Sequence, residues 1–390
     1  MIEKDSLERS LLKLVEYIEA EKYMGYDPYD MLRSKLFKLP VLKNSKWIRF
    51  GAQQFGKRFP INLRPLFLIS KGLNPVTLGL CIQGYANLFK VFPEKSEDYT
   101  QKINFLVDEL NRLIPKGYHG ACWGYDFDWE ARHASIPAYQ PTIVATGIIT
   151  NALFSWYKIS GDQRALNLCV SASSFILNDI NRTYDENGNF CFSYSPFDHL
   201  CVFNASMKGA RCLAQVYSVT RNEDLKAAAI SAAGYVMKNQ GADGSWTYST
   251  STSGDWIDNY HTGYILECMD EFMQSTGERS HSPGVEKGFH FYRKFFFTSE
   301  GIPKFYDKEI YPVDCTAAAQ SILILIRFGN PELAEKVSAW MIQNMQSQKG
   351  NYYFRKMKNY TVHTSFMRWS NAWMFVAGSE LLKSKIISKT

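Results

Sequence analysis

Residues 122–133, CWGYDFDWEARH, set Trp123, Tyr125, Asp126, Asp128, Trp129, Glu130, Arg132 and His133 side by side, with Tyr139, Gln140 and Pro141 just beyond. Flat aromatic rings suit the apolar faces of sugar rings, and carboxylates and guanidinium groups hydrogen-bond sugar hydroxyls. In that reading Asp128 or Glu130 donates a proton. In the plainer reading these carboxylates cap helices or pair with Arg132 and His133. A second cluster, Asp255, Trp256, Asp258, Asn259, Tyr260 and His261, directly precedes the apolar stretch TGYILECM. Asp258 is placed to act as an N-cap or in catalysis. His261 falls in the first helical turn, where an imidazole exchanges protons near neutral pH. Two further clusters are Tyr311 with Asp314, and His363, Arg368, Trp369, Asn371 and Trp373; Asp198 and His199 complete the set. Arg368 suits bidentate pairing with a carboxylate or phosphate, which points to an anionic sugar.

The catalytic candidates are therefore Asp128, Glu130, Asp258, His261 and Asp314. The substrate-binding candidates are Trp123, Tyr125, Trp129, His133, Tyr139, Trp256, Tyr260, Tyr311, Arg368 and Trp369. A metal reading through Cys122, Cys315, His261 and Asp314 lacks any local ligand spacing, and no metal is expected.

These clusters stand at one recurring position. Apolar helices open near Pro75, Pro141, Phe203, His261, Asp314 and Phe366, about 50 to 65 residues apart, the length of two helices and a loop. Amphipathic partners are predicted at about 6–20 (or 29–37), 97–113, 162–180, 223–239, 284–297 and 331–347, several opened by Gly, Asn or Asp. The second helix of each pair, as in TIVATGIITNALFSWY and CTAAAQSILILI, is apolar nearly all round and rich in small residues, so it must be buried among its fellows. Six such hairpins make an all-α (α/α)6 toroid, one domain over 1–390 with 1–70 the least regular part. The loops entering the inner helices then gather at one rim. Short β-hairpins are expected there in 244–256 and 350–356, and 37–72 reads as an extended crossing or a broken helix.

Composition narrows the function. The +6 charge reads as spread out, without a basic helix or Lys/Arg tract, so nucleic acid is not an expected partner. The acidic amphipathic N-terminus lacks the features of a signal peptide, no apolar run reaches the ~20 residues of a membrane span, and the eight cysteines form no CxxC pair. A cytoplasmic protein with free thiols is the expectation. GxxxxGK[ST] and GxGxxG in the required strand-to-helix setting, and GxSxG, are absent, so no nucleotide cofactor is expected.

The six hairpins with Gly-aromatic turns resemble the six-hairpin glycosidase-like toroids, which include glycoside hydrolases, sugar epimerases and the toroidal domains of polysaccharide lyases. WGYDFDWEARHASIPAYQPTIVAT and DNYHTGYILE look like a bacterial family associated with polysaccharide or capsule biosynthesis. The resemblance implies an enzyme acting on a glycan or sugar conjugate by acid/base chemistry in a rim cleft, with no catalytic roles to carry across. A hydrolase would need two carboxyls among Asp128, Glu130, Asp258 and Asp314, about 5 Å apart for retention or roughly 6.5 to 9.5 Å for inversion. An epimerase or lyase would use His261 with Tyr260 or Tyr311. A non-catalytic glycan-binding or assembly protein fits the same rim, as does a terpenoid-cyclase-like toroid, although DDxxD and DxDD are missing.

Overall fold

The computed structural model of the protein describes residues 3–130 and 135–387. The chain opens with α1 (Lys4–Ala20), two single 3-10 turns (Asp30–Arg33 and Lys35–Lys38), α2 (Pro40–Asn44) and α3 (Lys46–Arg58). There follow α4 (Pro75–Val91), α5 (Ser96–Arg112), α6 (Ile143–Ser160), α7 (Gln163–Asn178), α8 (Phe203–Thr220), α9 (Glu223–Lys238), α10 (Asn259–Thr276), α11 (Ser282–Phe295), α12 (Cys315–Arg327) and α13 (Pro331–Met345). A six-residue π-helical segment, Met367–Ala372, leads into α14 (Trp373–Ile387).

Helices α4, α6, α8, α10, α12 and α14 each pack on the next, and α14 returns to α4, closing an inner ring. The outer helices α5, α7, α9, α11 and α13 lie against it, and α1 packs on α14. Burial follows the predicted division. All of Ile143 to Phe154 on α6 is buried, whereas α5 buries one stripe, Tyr99, Ile103, Leu106, Val107 and Leu110. Glycines let the inner helices approach. A Cβ at Gly147 would lie 2.7 Å from Lys208 Cβ, and one at Gly84 2.6 Å from the Phe375 ring.

Connections from inner to outer helices are short, while those from outer to inner helices are long and meet at one rim. Neighbouring long loops are hydrogen-bonded to each other around it. Between loops, bridges pair Val202 with Ser249 and Asp258 with Tyr306, and Tyr26 with Phe366 joins the first long loop to the last; within single loops, Gly25 pairs with Gly72 and Gly124 with Pro141. The β-structure is confined to these loops: β1 (Trp129–Glu130) with β2 (Ser135–Ile136), β3 (Arg182–Tyr184) with β4 (Phe190–Phe192), and β5 (Val313–Asp314), β6 (Arg355–Lys356) and β7 (Thr361–Val362) in one small sheet. Segment 350–356 therefore supplies a strand, but 244–256 does not. It is stacked rings and a 3-10 turn at Thr252–Gly254 instead. The alternative first helix at 29–37 is two 3-10 turns, and α1 takes the outer position.

Candidate active site

The start of α10 is fixed from three sides. Asn259 donates to the Lys304 carbonyl (3.0 Å) and accepts from the Tyr292 hydroxyl (2.6 Å) and the Ser321 hydroxyl (3.1 Å). Asp258, buried just before it, is the N-cap, accepting the His261 amide on Oδ1 (3.0 Å). Its Oδ2 takes the Trp256 indole N–H (2.9 Å) and lies 2.6 Å from His261 Nδ1. Capping and orienting a histidine are thus one structure. A carboxylate facing Nδ1 calls for the proton on that nitrogen, which leaves Nε2 as the exchanging atom. The His261 ring lies between Tyr248 and Tyr260, at centroid distances of 4.6 and 4.0 Å, with Tyr264 beyond, and Tyr248 stacks on Trp256.

The aromatic surface continues across the rim. Tyr260 meets Trp369 edge-on at 5.6 Å, Trp369 meets Tyr29 at 6.0 Å, Tyr29 meets Trp129 and Trp129 meets Tyr194 at 5.3 Å. Tyr194 and Tyr125 share a hydroxyl contact (3.2 Å), and Tyr125 stacks on Phe127. Arg368 lies over the rings of Tyr125 and Trp369. The π-helical turn at 367–372 puts Arg368 and Trp369 on this surface, a local widening of the kind frequent at functional sites. The Trp369 indole nitrogen is buried and has no acceptor among the described residues. It is a donor available to a bound molecule.

Helix α3 and the turn before it cover this centre. Gln53 donates to the carbonyls of Tyr29 (2.7 Å) and Asp128 (2.9 Å) and accepts from the Glu130 amide (3.1 Å). Lys57 donates to the Tyr29 hydroxyl at 3.3 Å. Burial, with Arg355 and Arg58 nearby, pulls its ammonium down to about 7. Burial first and Asp258 second drive the Tyr260 phenol well above its ordinary value, so Tyr260 is an O–H donor rather than a base.

Several expected residues are engaged elsewhere. Trp123 is core, with its indole N–H on the Leu110 carbonyl (2.8 Å), because its loop dives beneath the rim. Asp314 caps α12 through Thr316 and Ala317 on Oδ1 and holds Arg355 (2.5 Å) on Oδ2, so both oxygens are engaged. Arg368 spends its bidentate edge on Asp27 (2.6 and 2.9 Å) and is buried, so the expected bidentate grip on a substrate anion is already occupied. Asp128 accepts the Ala138 amide (2.9 Å). Buried Glu130 lies between Ser135 (3.1 Å) and Arg49 (3.4 Å), with Oε1 unpartnered among the described residues. Tyr139 is exposed in a turn at φ 62°, and Tyr311 packs against the core beside the cis Pro312. His133 lies outside the described residues. The structure brings Tyr125, Trp129, Trp256, Asp258, Tyr260, His261, Arg368 and Trp369 together and adds Tyr29, Lys57, Tyr194, Tyr248 and Asp27.

At the other end of the ring a polar cavity of about 620 Å³ is lined by Asn87, Asn151, Gln215, Glu267, Glu271 and Arg327, among others. Between the two ends Lys208 lies 3.6 Å from the Tyr264 ring centroid, its ammonium lowered by burial to about 8.

No protein-family model and no curated protein sequence matches the chain. Solved structures do. A cellobiose 2-epimerase from Bacillus thermoamylovorans superposes with a TM-score of 0.61 at 13% identity, over 79% of this chain and 87% of that one. An α-mannanase of family GH76 from Bacteroides thetaiotaomicron gives 0.61 at 12%, over 81% and 87%. An unsaturated glucuronyl hydrolase specific for heparin gives 0.62 at 14%, over 99% and 98%. The chain has their six-hairpin (α/α)6 toroid fold.

Proposed function

We propose that this protein is a sugar-modifying enzyme whose reaction is a proton transfer at carbon, of the epimerase, isomerase or lyase kind, carried by His261. The observation that carries this reading is the Asp258–His261 pair inside an aromatic-walled centre. The rim carboxylates seen there, Asp27, Asp128, Glu130, Asp258 and Asp314, are each bound to a cap, an amide or an arginine. Glu130 keeps Oε1 unpartnered among the described residues, and the fixed Asp258–His261 pair favours histidine-centred chemistry over a two-carboxyl hydrolytic mechanism. An imidazole held in a fixed tautomer by a carboxylate suits removal of a proton beside a carbonyl. In this reading Nε2 of His261 takes that proton, Asp258 stabilises the imidazolium, and the rings of Trp369, Tyr248 and Trp256 hold the sugar's apolar faces. Lys57, its ammonium lowered to about 7 and so about half protonated at pH 7, is the second titrating group available to return a proton, and Arg355 and Arg368 supply positive potential for an enolate or a carboxylate. Three proteins of the same fold are named for action on sugars or glycans, which accords with this reading.

The test is proton exchange in D2O, followed by NMR, with reducing disaccharides, uronates and unsaturated uronates. The native protein is expected to exchange a carbon-bound proton, or to form an epimer or alkene, and His261→Asn to slow this by about 10²-fold or more. Turnover undiminished in His261→Asn, or hydrolysis abolished only by Asp128→Asn or Glu130→Gln, would refute it. A glycan-binding protein without turnover is the second reading, favoured by the same engaged carboxylates. It predicts saturable binding and no exchange.

A further inference from the structure

Outside the aromatic centre the rim carries a different chemistry. Ten of the chain's 44 Lys and Arg fall within residues 31–71, and none of its 38 Asp and Glu. The net charge is thus the sum of one strongly basic segment and an acidic remainder, not the even spread that composition implied. Arg33, Arg49 and Arg64 pair inward with Asp126, Glu130 and Asp30, and Lys71 pairs at the surface with Glu21. Lys35, Lys38, Lys43, Lys46 and Arg58 are exposed and make no ion pair among the described residues.

Between these cations stand large apolar side chains in open solvent: Val41 and Leu66 (76% exposed), Leu68 (73%), Trp47 and Ile61 (69%) and Phe55 (49%). Val41, Trp47 and Phe55 are part of one connected surface, since the 3-10 turns, α2 and α3 pack in succession, and Ile61, Leu66 and Leu68 follow in the loop after α3. On α3 the turned-in positions are Gln53 and Gly56, and the outward face presents Trp47, Phe55 and Arg58. Monomeric proteins rarely leave such a patch uncovered.

We propose that this surface docks on an anionic membrane, with α3 lying in the headgroup plane. A second copy of the same face would set unpaired cations against cations. A nucleic acid would satisfy the cations but leave Val41, Trp47 and Leu66 without apolar contact. The headgroup boundary of an acidic bilayer takes both, because it attracts Lys and Arg electrostatically and admits apolar side chains a few ångströms deep. No helix among the described residues is long and apolar enough to cross the bilayer, so the contact is one of lying on the membrane. Gln53 and Lys57 on the inward side of α3 touch the rim centre, so docking places that centre beside the bilayer surface. The proposal stands whether or not the centre acts on a sugar.

Cosedimentation of the full-length protein with vesicles tests it. Binding is expected to vesicles containing phosphatidylglycerol, to weaken with added salt, and to be absent for pure phosphatidylcholine. Trp47→Ser/Phe55→Ser and Lys43→Glu/Lys46→Glu should each cut binding by about tenfold or more, with unchanged thermal melts, since all four side chains are exposed. Failure to bind phosphatidylglycerol vesicles at low salt overturns the proposal. So does binding that Trp47→Ser/Phe55→Ser leaves intact, above all if a DNA duplex competes for it, since that result identifies a polyanion site instead.

Discussion

Asp258 shows how one carboxylate answers two questions that looked like rivals in the sequence. An N-cap position and a histidine three residues on put the same two oxygens within reach of a backbone amide and an imidazole. Substitution separates the roles. Asp258→Asn retains a good cap and should change stability by less than about 1 kcal/mol, whereas Asp258→Ala should cost about 1–2 kcal/mol. Both should lower turnover on an active sugar by about 10²-fold, measured beside thermal denaturation. Lys57 gives a pH signature of known sign. Its ammonium titrates near 7 when folded and near 10.5 when unfolded. Below pH 7 it is charged in both states; between 7 and 10.5 only the unfolded chain keeps the proton, so stability contributed by this site rises with pH in that window. Relative to Lys57→Met, the native protein should gain about 3–4 kcal/mol between pH 7 and pH 10, measured by denaturant unfolding. Residues 122–133 and 255–261 advertised themselves by density of aromatic and polar types. Asp27 did not, because its partner Arg368 is 341 positions away, and neither did Tyr29 or Lys57, which lie in a stretch without repeat or motif.

At the scale of the element, the helical hairpins were legible because each inner helix is apolar all round and each outer helix on one face, a contrast that survives without any tertiary information. Helices expected to open near Pro75 and Phe203 start at those residues, as α4 and α8. The segment before α4 was illegible for the opposite reason. The position of α3 is decided by Gln53 reaching carbonyls and an amide in distant loops, and by Gly56 admitting Met31, not by its own periodicity. The expected hairpin at 244–256 failed because stacking of Tyr248 on Trp256 and capping by Asp258 hold that loop without a ladder. Close inner-helix packing makes a direct prediction. Gly147→Ala and Gly84→Ala should each destabilise by about 1–3 kcal/mol, because the new methyl meets Lys208 between α6 and α8 or the Phe375 ring between α4 and α14. Thermal melts at one pH check it, and an unchanged melting temperature would mean that the ring relaxes at those contacts.

Over the whole molecule, the closed ring offers a ligand the rim, where the inner-helix N-termini and aromatic loops converge, and a polar cavity of about 620 Å³ at the opposite end. The rim holds His261 with its carboxylate partner, the indole N–H of Trp369, unpartnered among the described residues, and the aromatic walls. The far cavity is lined by Glu267, Glu271 and Arg327, and Arg327 pairs with Glu271 and Asp270. Ring closure also sets stability, since Asp27 and Arg368 join the first loop to the last inner helix through a buried pair. Asp27→Ala leaves that guanidinium uncompensated and should cost about 3–5 kcal/mol in denaturant unfolding. The measurement that most directly tests the central claim is a co-crystal structure with a mixture of neutral and uronic oligosaccharides. A sugar stacked on Trp369 or Trp256 with a ring carbon facing His261 Nε2 is the predicted result. A sugar bound only in the cavity at the opposite end, with His261 uncontacted, would contradict it.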